Sequence, residues 1–219
     1  MSLVGMDQLL QRALRGGYAV GYYEAWDQYS FEAALEAAEE LNSPAILGFG
    51  GAVTDLAWLD DRGIESLTAL GHCLAEHSRV PTALLFNEAQ SYPQILRGLK
   101  AGCNAVMLDS SELGLEENIA ATQQVVAAAH ALGATVEAEL GHLPDASDPT
   151  RATPHLTDPD DAARFVAATH VDALAVSVGN VHILTHGEAQ IDLDRLEAIY
   201  RRTQVPLVIH GGTGFPPAA

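Results

Sequence analysis

Short apolar, β-branched runs alternate with longer amphipathic segments from one end of the 219-residue chain to the other. That alternation constrains the fold more than any compositional figure. A period of two and a period of 3.6, taken in turn, build β/α units, and β/α units build parallel sheets. The strand candidates are Tyr18–Tyr23, Ala45–Phe49, Thr82–Phe86, Ala105–Leu108, Thr135–Leu140, Ala173–Val178 and Leu207–His210. The helical candidates between them are Phe31–Leu41, Ile64–His77, Tyr92–Lys100, Glu116–Leu132, Pro159–Thr169 and Leu193–Arg202. Asp158 and Pro159 put an N-cap and a first-turn proline at the head of the fifth. Each strand is almost continuously apolar, as strands covered on both faces are.

Seven such units, with no Rossmann glycine fingerprint after the first strand, favour an α/β protein of the (β/α)₈ TIM-barrel kind over a doubly wound sheet. A barrel closes on eight strands, and seven would leave unpaired edges. After the seventh run only Phe215-Pro216-Pro217-Ala218-Ala219 remains. Residues 1–219 are therefore expected to be a single barrel domain whose eighth unit lies beyond Ala219. Residues 141–158 carry three prolines and no periodicity. A loop of that length after a barrel strand is expected to be a mobile active-site loop.

Charge and composition remove several function classes. Against 29 acidic residues stand 11 basic ones, a formal net charge of −18, and the only adjacent basic pair is Arg201-Arg202. Nucleic-acid backbones demand clustered cations, so none is expected as a partner. No apolar run approaches the roughly 18–20 residues of a membrane span, and the first residues lack the pattern of a signal peptide. Cys73 and Cys103 have no metal-type spacing. They are expected to be reduced thiols in a cytoplasmic protein. Ten of the basic residues are arginine, and Lys100 is the sole lysine. It sits ahead of Gly102 at a helix end, where a cation complements the dipole and faces water. Lysine-based Schiff-base catalysis is thereby all but excluded.

Reactive residue types collect at the strand ends. Asn87 and Glu88 follow the third strand, Asp109 the fourth, and Glu139 ends the fifth. His182 follows the sixth strand, and His210-Gly211-Gly212-Thr213-Gly214 ends the seventh. In a barrel these ends converge, so residues distant in sequence can share one ion or substrate. A lone strand-end histidine is usually structural. Two of them in neighbouring units, with Glu88 and Glu139 nearby, point to a divalent metal. The Gly-rich run either offers backbone N–H groups to a phosphate or is a flexible turn.

Taken together these motifs resemble the class II, metal-dependent ketose-bisphosphate aldolases, the family of fructose- and tagatose-bisphosphate aldolases. The likeness runs through Gly17-Tyr18-Ala19-Val20-Gly21, the stretch Ala37 to Leu47, and Glu116-Glu117-Asn118-Ile119. It continues in Val136-Glu137-Ala138-Glu139-Leu140-Gly141, Gly179-Asn180-Val181-His182 and His210 to Gly214. The resemblance implies a (β/α)₈ barrel, a phosphorylated sugar substrate, a homo-oligomer (dimer or tetramer) and a divalent ion. Zn²⁺ is the first choice, with Mn²⁺ or Mg²⁺ as alternatives. It implies carbon–carbon cleavage through a metal-stabilised enediolate. It makes His182 and His210 two of three zinc histidines, associates Asp109 and Glu139 with a second metal location, and gives Gly211, Gly212 and Thr213 the substrate phosphate.

The chain departs from the family at strand three. Where the family has His-Leu-Asp-His-Gly, this chain has Leu85-Phe86-Asn87-Glu88-Ala89. The proton-moving aspartate becomes Asn87, which cannot exchange a proton near neutral pH, and the third zinc histidine becomes Glu88. Two histidines and a glutamate form a known zinc set. Glu24 and Asp27 replace an Asn-rich loop after strand one, Gly50 begins an altered loop after strand two, and Ile183 replaces the glycine after His182. The leading expectation is a lyase with Asn87 and Glu88 in the catalytic centre and Glu24, Asp27 and Gly50 around the substrate. The alternatives are an isomerase or epimerase using Glu88 as base, and a non-catalytic sugar-phosphate-binding paralogue.

Overall fold

A computed structural model of the protein describes residues 2–50, 55–146, 155–184 and 186–215, Thr213 through its backbone alone. The chain divides into two compact units, residues 1–109 with 124–137, and residues 110–123 with 138–219.

The first unit opens with α1 (Met6–Gly16), which buries Met6, Leu9, Leu10 and Ala13. That i, i+3, i+4, i+7 stripe is an ordinary helix signal, and it places a helix ahead of the first β/α unit, where the alternating pattern predicts none. Gly17, at φ 67, closes α1, and the Tyr18 N–H returns to the Ala13 carbonyl. Tyr18 is thus part of a helix cap. The first strand, β1, accordingly covers only Tyr22–Glu24 and not the expected Tyr18–Tyr23.

Next come α2 (Gln28–Glu40) and the wholly buried β2 (Ala45–Gly50). A short helix α3 (Leu56–Trp58) continues through a π-helical turn (Leu59–Gly63) into α4 (Ile64–His77). After these follow β3 (Thr82–Ala89), α5 (Tyr92–Ala101), β4 (Ala105–Leu108), α6 (Leu115–His130) and β5 (Thr135–Leu140). Strands β1 to β5 pair in sequence order, all parallel. Phe49 of β2 and Phe86 of β3 stack at 4.9 Å between ring centres. They lie in a core with Phe31, Leu84, Ile64 and Ile95, all fully buried.

The second unit contains α7 (Pro159–Thr169), β6 (Ala173–Val176), α8 (Leu193–Thr203) and β7 (Leu207–Val208). Asp158 caps α7 by accepting from the Asp160 and Asp161 N–H groups, with Pro159 at the first helical position. Strands β6 and β7 pair in parallel through Leu174↔Leu207 and Ala175↔Val208. Both end sooner than their apolar runs. The Asn180 side chain takes the Val178 N–H and the Val176 carbonyl, groups a longer strand would give to its neighbour.

Of the expected mobile loop, residues 147–154 lie outside the described residues. Its two ends are joined to each other and to the residue that follows β6. His142 and His155 exchange N–H···O bonds of 2.9 and 3.0 Å, and Thr157 and Ser177 exchange backbone and hydroxyl bonds of 2.8 Å. Among the described residues no helix is long and apolar enough to cross a membrane.

Candidate active site

Polar groups in the first unit gather where β1, β2 and β3 end. Gly50, the last residue of β2, is closely approached: a Cβ would lie 3.1 Å from both the Asn87 carbonyl and Glu24 Oε1, so that either neighbour would have to give by a few tenths of an ångström. The glycine therefore lets the Glu24 carboxylate lie directly against the β2–β3 ladder. Asn87 is 3% exposed, and its Oδ1 is buried with no hydrogen-bond partner among the protein atoms, as is Tyr22 Oη. Buried polar atoms are normally satisfied, so Asn87 Oδ1 and Tyr22 Oη are open to a polar group that the protein does not itself supply.

Asn87 and Glu88 lie inside β3 and not after it, because Ala89 still pairs with Leu108 of β4. The register shifts between Phe86 and Ala89, and Glu88 adopts φ 48. Such a bulge re-aims a side chain at a strand end, here at a conformational cost of about 1–2 kcal/mol. Gln90 supports the turn. Its Nε2 donates to the Glu88 carbonyl at 2.9 Å and reaches the Asp109 carboxylate at 3.5 Å.

Burial pushes the Tyr22 phenol well above its ordinary pKa, and the Glu24, Glu88 and Glu137 carboxylates push it further, while Asn87 offsets a little. Tyr22 is therefore a permanent proton holder at neutral pH, amid three acids and an amide. It has no counterpart among the residues singled out above. Its signal was available: two positions before Glu24 on a strand, it shares that residue's face.

Asp27 serves α2. Its carboxylate accepts from the Ser30 N–H and hydroxyl, both at 2.8 Å, and these bonds hold it below the usual carboxylate range. Ser30 Oγ in turn accepts from the Asp27 N–H, which completes a capping box.

In the second unit, Glu139 Oε1 accepts from the Ser110 N–H at 3.0 Å, and the Glu139 carbonyl accepts from Asn118 Nδ2 at 2.9 Å. Glu139 thereby fixes the loop after β4 to the end of β5. The half-buried His182 and His210 have ring centres 5.9 Å apart and planes inclined at 50°. His182 is held by its backbone: its N–H donates to the Pro144 carbonyl at 2.9 Å and its carbonyl accepts from Ala146 at 3.0 Å. Ile183, next to it, sits at φ 51, a rare conformation for a β-branched residue. Gly212–Gly214 form a single 3₁₀ turn entered through Gly211 at φ 73. The Thr213 side chain lies outside the described residues.

Carboxylates at strand ends in the first unit, and histidines with a glycine turn at strand ends in the second, are residues placed as barrel enzymes place their site residues, at the carboxyl ends of parallel strands. Comparison with known proteins gives this class its family. The model of class II fructose-bisphosphate aldolase matches residues 4–219. A probable fructose-bisphosphate aldolase of Bacillus subtilis (strain 168) is 37% identical over 221 residues, covering 100% of this chain and 76% of that protein. The 6-phospho-5-dehydro-2-deoxy-D-gluconate aldolase of Halalkalibacterium halodurans is 34% identical over 218 residues, covering 99% and 74%. Among solved structures, the YdjI aldolase from Escherichia coli K12 superposes with a TM-score of 0.84 at 31% identity, covering 99% of this chain and 75% of that one.

The chain belongs to the class II fructose-bisphosphate aldolase family. Its α/β fold is the TIM-barrel-like fold of that family, and its chemistry falls among the metal-dependent carbon–carbon lyases.

Proposed function

We propose that the protein cleaves a phosphorylated ketose by a metal-dependent retro-aldol reaction, with Glu88, His182 and His210 holding the ion. The observation that carries this reading is the imidazole pair. With Zn–N near 2.0–2.1 Å and tetrahedral angles, two ligand imidazoles have ring centres on the order of 5 Å apart. The observed 5.9 Å is within a small side-chain adjustment of that value. Two imidazoles and a carboxylate suit Zn²⁺, and the carboxylate also admits Mn²⁺ or Mg²⁺.

A bound divalent ion supplies Lewis acidity to the substrate carbonyl. The chain's own residues supply the rest. Asn87, with an unpartnered Oδ1, accepts a hydrogen bond from the substrate hydroxyl next to the breaking bond. Glu24 takes that hydroxyl's proton as the carbon–carbon bond breaks and its electron pair moves toward the carbonyl. The same proton then returns to the carbon released. Tyr22, kept protonated by burial, holds the floor of the site neutral beneath those acids. Backbone N–H groups of Gly211, Gly212 and Thr213 precede the first hydrogen bond of the 3₁₀ turn and suit a substrate phosphate.

Glu88→Gln tests the assignment. The substitution removes the charge and keeps the shape, so metal content after dialysis should fall at least about ten-fold together with turnover on a sugar-phosphate panel. Full metal retention with lost turnover would instead make Glu88 a base and favour isomerisation or epimerisation. Sugar-phosphate binding without turnover in the wild type would make the protein a binding paralogue.

A further inference from the structure

The β6–β7 ladder stops at Ala175↔Val208, two residues before His210 and seven before His182. Beyond it, no backbone pairing among the described residues keeps the two histidine-bearing segments in register. The Asn180 side chain continues the work. Asn180 is fully buried. Its Oδ1 accepts from the Val178 N–H at 2.8 Å, and its Nδ2 donates to the Val176 carbonyl at 3.2 Å and to the His210 carbonyl at 3.0 Å. The orientation of the amide is fixed by its partners, because a flipped carboxamide would set an oxygen against two carbonyls and a nitrogen against an N–H. Asn180 thus stands two residues ahead of one histidine and is hydrogen-bonded to the main chain of the other. The segments also touch directly: a Cβ on Gly211 would lie 2.3 Å from the Val181 carbonyl oxygen. With the His182 backbone anchored by Pro144 and Ala146, the Asn180–His210 bond is the adjustable link.

We infer that Asn180 is a positioning residue that sets the separation of the His182 and His210 imidazoles, and through it the affinity and geometry of the divalent ion. The inference rests on the metal reading above. A carboxamide is the one uncharged side chain of this length with a donor and an acceptor side by side. Aspartate keeps its shape but turns lone pairs toward two carbonyls. Alanine deletes all three bonds.

The test uses the full chain and Co²⁺ as the probe, with binding followed by competition titration and by the visible ligand-field band. Asn180→Asp and Asn180→Ala should keep the circular dichroism of the wild type. They should bind Co²⁺ about 10- to 100-fold more weakly, the usual effect of losing a group that orients a metal ligand, and shift the band. Ser177→Ala deletes a bond to the His142 carbonyl of 3.2 Å from an equally buried residue. It should leave affinity within about two-fold, since that bond orients neither histidine. Folded Asn180 variants with unchanged affinity and spectrum would overturn the inference and leave the metal reading standing. A wild type that takes up no Co²⁺ would overturn both. Failure of both variants to fold would assign Asn180 to stability and overturn the positioning role.

Discussion

At residue 87 an amide stands at the buried end of β3, beside a phenol whose burial keeps it protonated. Neither group delivers or removes a proton at neutral pH, so the carboxylates around them must do so. The first prediction follows from that division of labour. Asn87→Asp returns an ionisable oxygen to the place where the resembling family carries one, and general acid–base catalysis is worth about 10²–10⁴ in rate. With Glu24 already carrying the proton, the variant should turn over sugar phosphates within about ten-fold of the wild type, at some loss of thermal stability from a buried charge. A rate at least about 100-fold faster would show that the wild type lacks a proton carrier there and would remove Glu24 from the role. What the chain disclosed at this scale was its conspicuous chemistry: Glu88, His182 and His210 are polar residues where core strands prefer Val, Ile and Leu. Asn180 stayed silent, and Tyr22 offered only the face it shares with Glu24. Their roles come from hydrogen bonds and neighbours contributed by distant segments, such as the 30-residue span from Asn180 to His210.

Elements were most legible where a cap or the apolar pattern ended them. Helices α4 and α7 and strands β4 and β5 have the bounds their periodicity predicts: Asp158 caps α7, while in α4 and the two strands the apolar pattern alone sets the ends. β1, β6 and β7 are shorter than their apolar runs, since a cap or a side chain takes the backbone groups first: Tyr18 in one case, Val176 and Val178 in another. β3 is longer than its apolar run, since pairing persists through the polar Asn87 and Glu88. The same ladder gives a prediction on packing. A Cβ at Gly48 of β2 would sit 2.1 Å from the Leu85 carbonyl oxygen and 2.8 Å from the Tyr22 ring. The backbone cannot yield there as a flexible side chain would. Gly48→Ala should therefore lose more than the roughly 1–3 kcal/mol typical of overpacking, read by urea denaturation. A midpoint equal to that of the wild type would show that β2 and β3 can separate at no cost.

For the molecule as a whole, the −18 charge is partly put to structural use. Asp27, Asp158 and Asp192 are held below their ordinary value of 3.8 chiefly by backbone N–H groups at helix starts. Glu39 and Glu65 are held below 4.5 by bonds to Arg79 and Arg97. A carboxylate with a lowered folded pKa stabilises fully above its unfolded value, and that stability is lost as pH falls through the folded value. The melting temperature should thus hold from pH 7 to about 5 and then fall steadily toward pH 3, measured calorimetrically. A flat profile over that range would mean that the caps contribute nothing to folding. These groups are exposed, so each adds little alone, and the decline should be gradual. The barrel class was legible because an alternation repeated seven times survives errors at any one boundary. One further property of the scaffold is practical. Lys100, in the last turn of α5, faces solvent, about 12 Å of helix away from Tyr92 and the β3 end that precedes it. Since the sequence has one lysine, side-chain amine coupling addresses a single point, and an immobilised or dye-labelled enzyme would be attached by the side that faces away from Asn87 and Glu88.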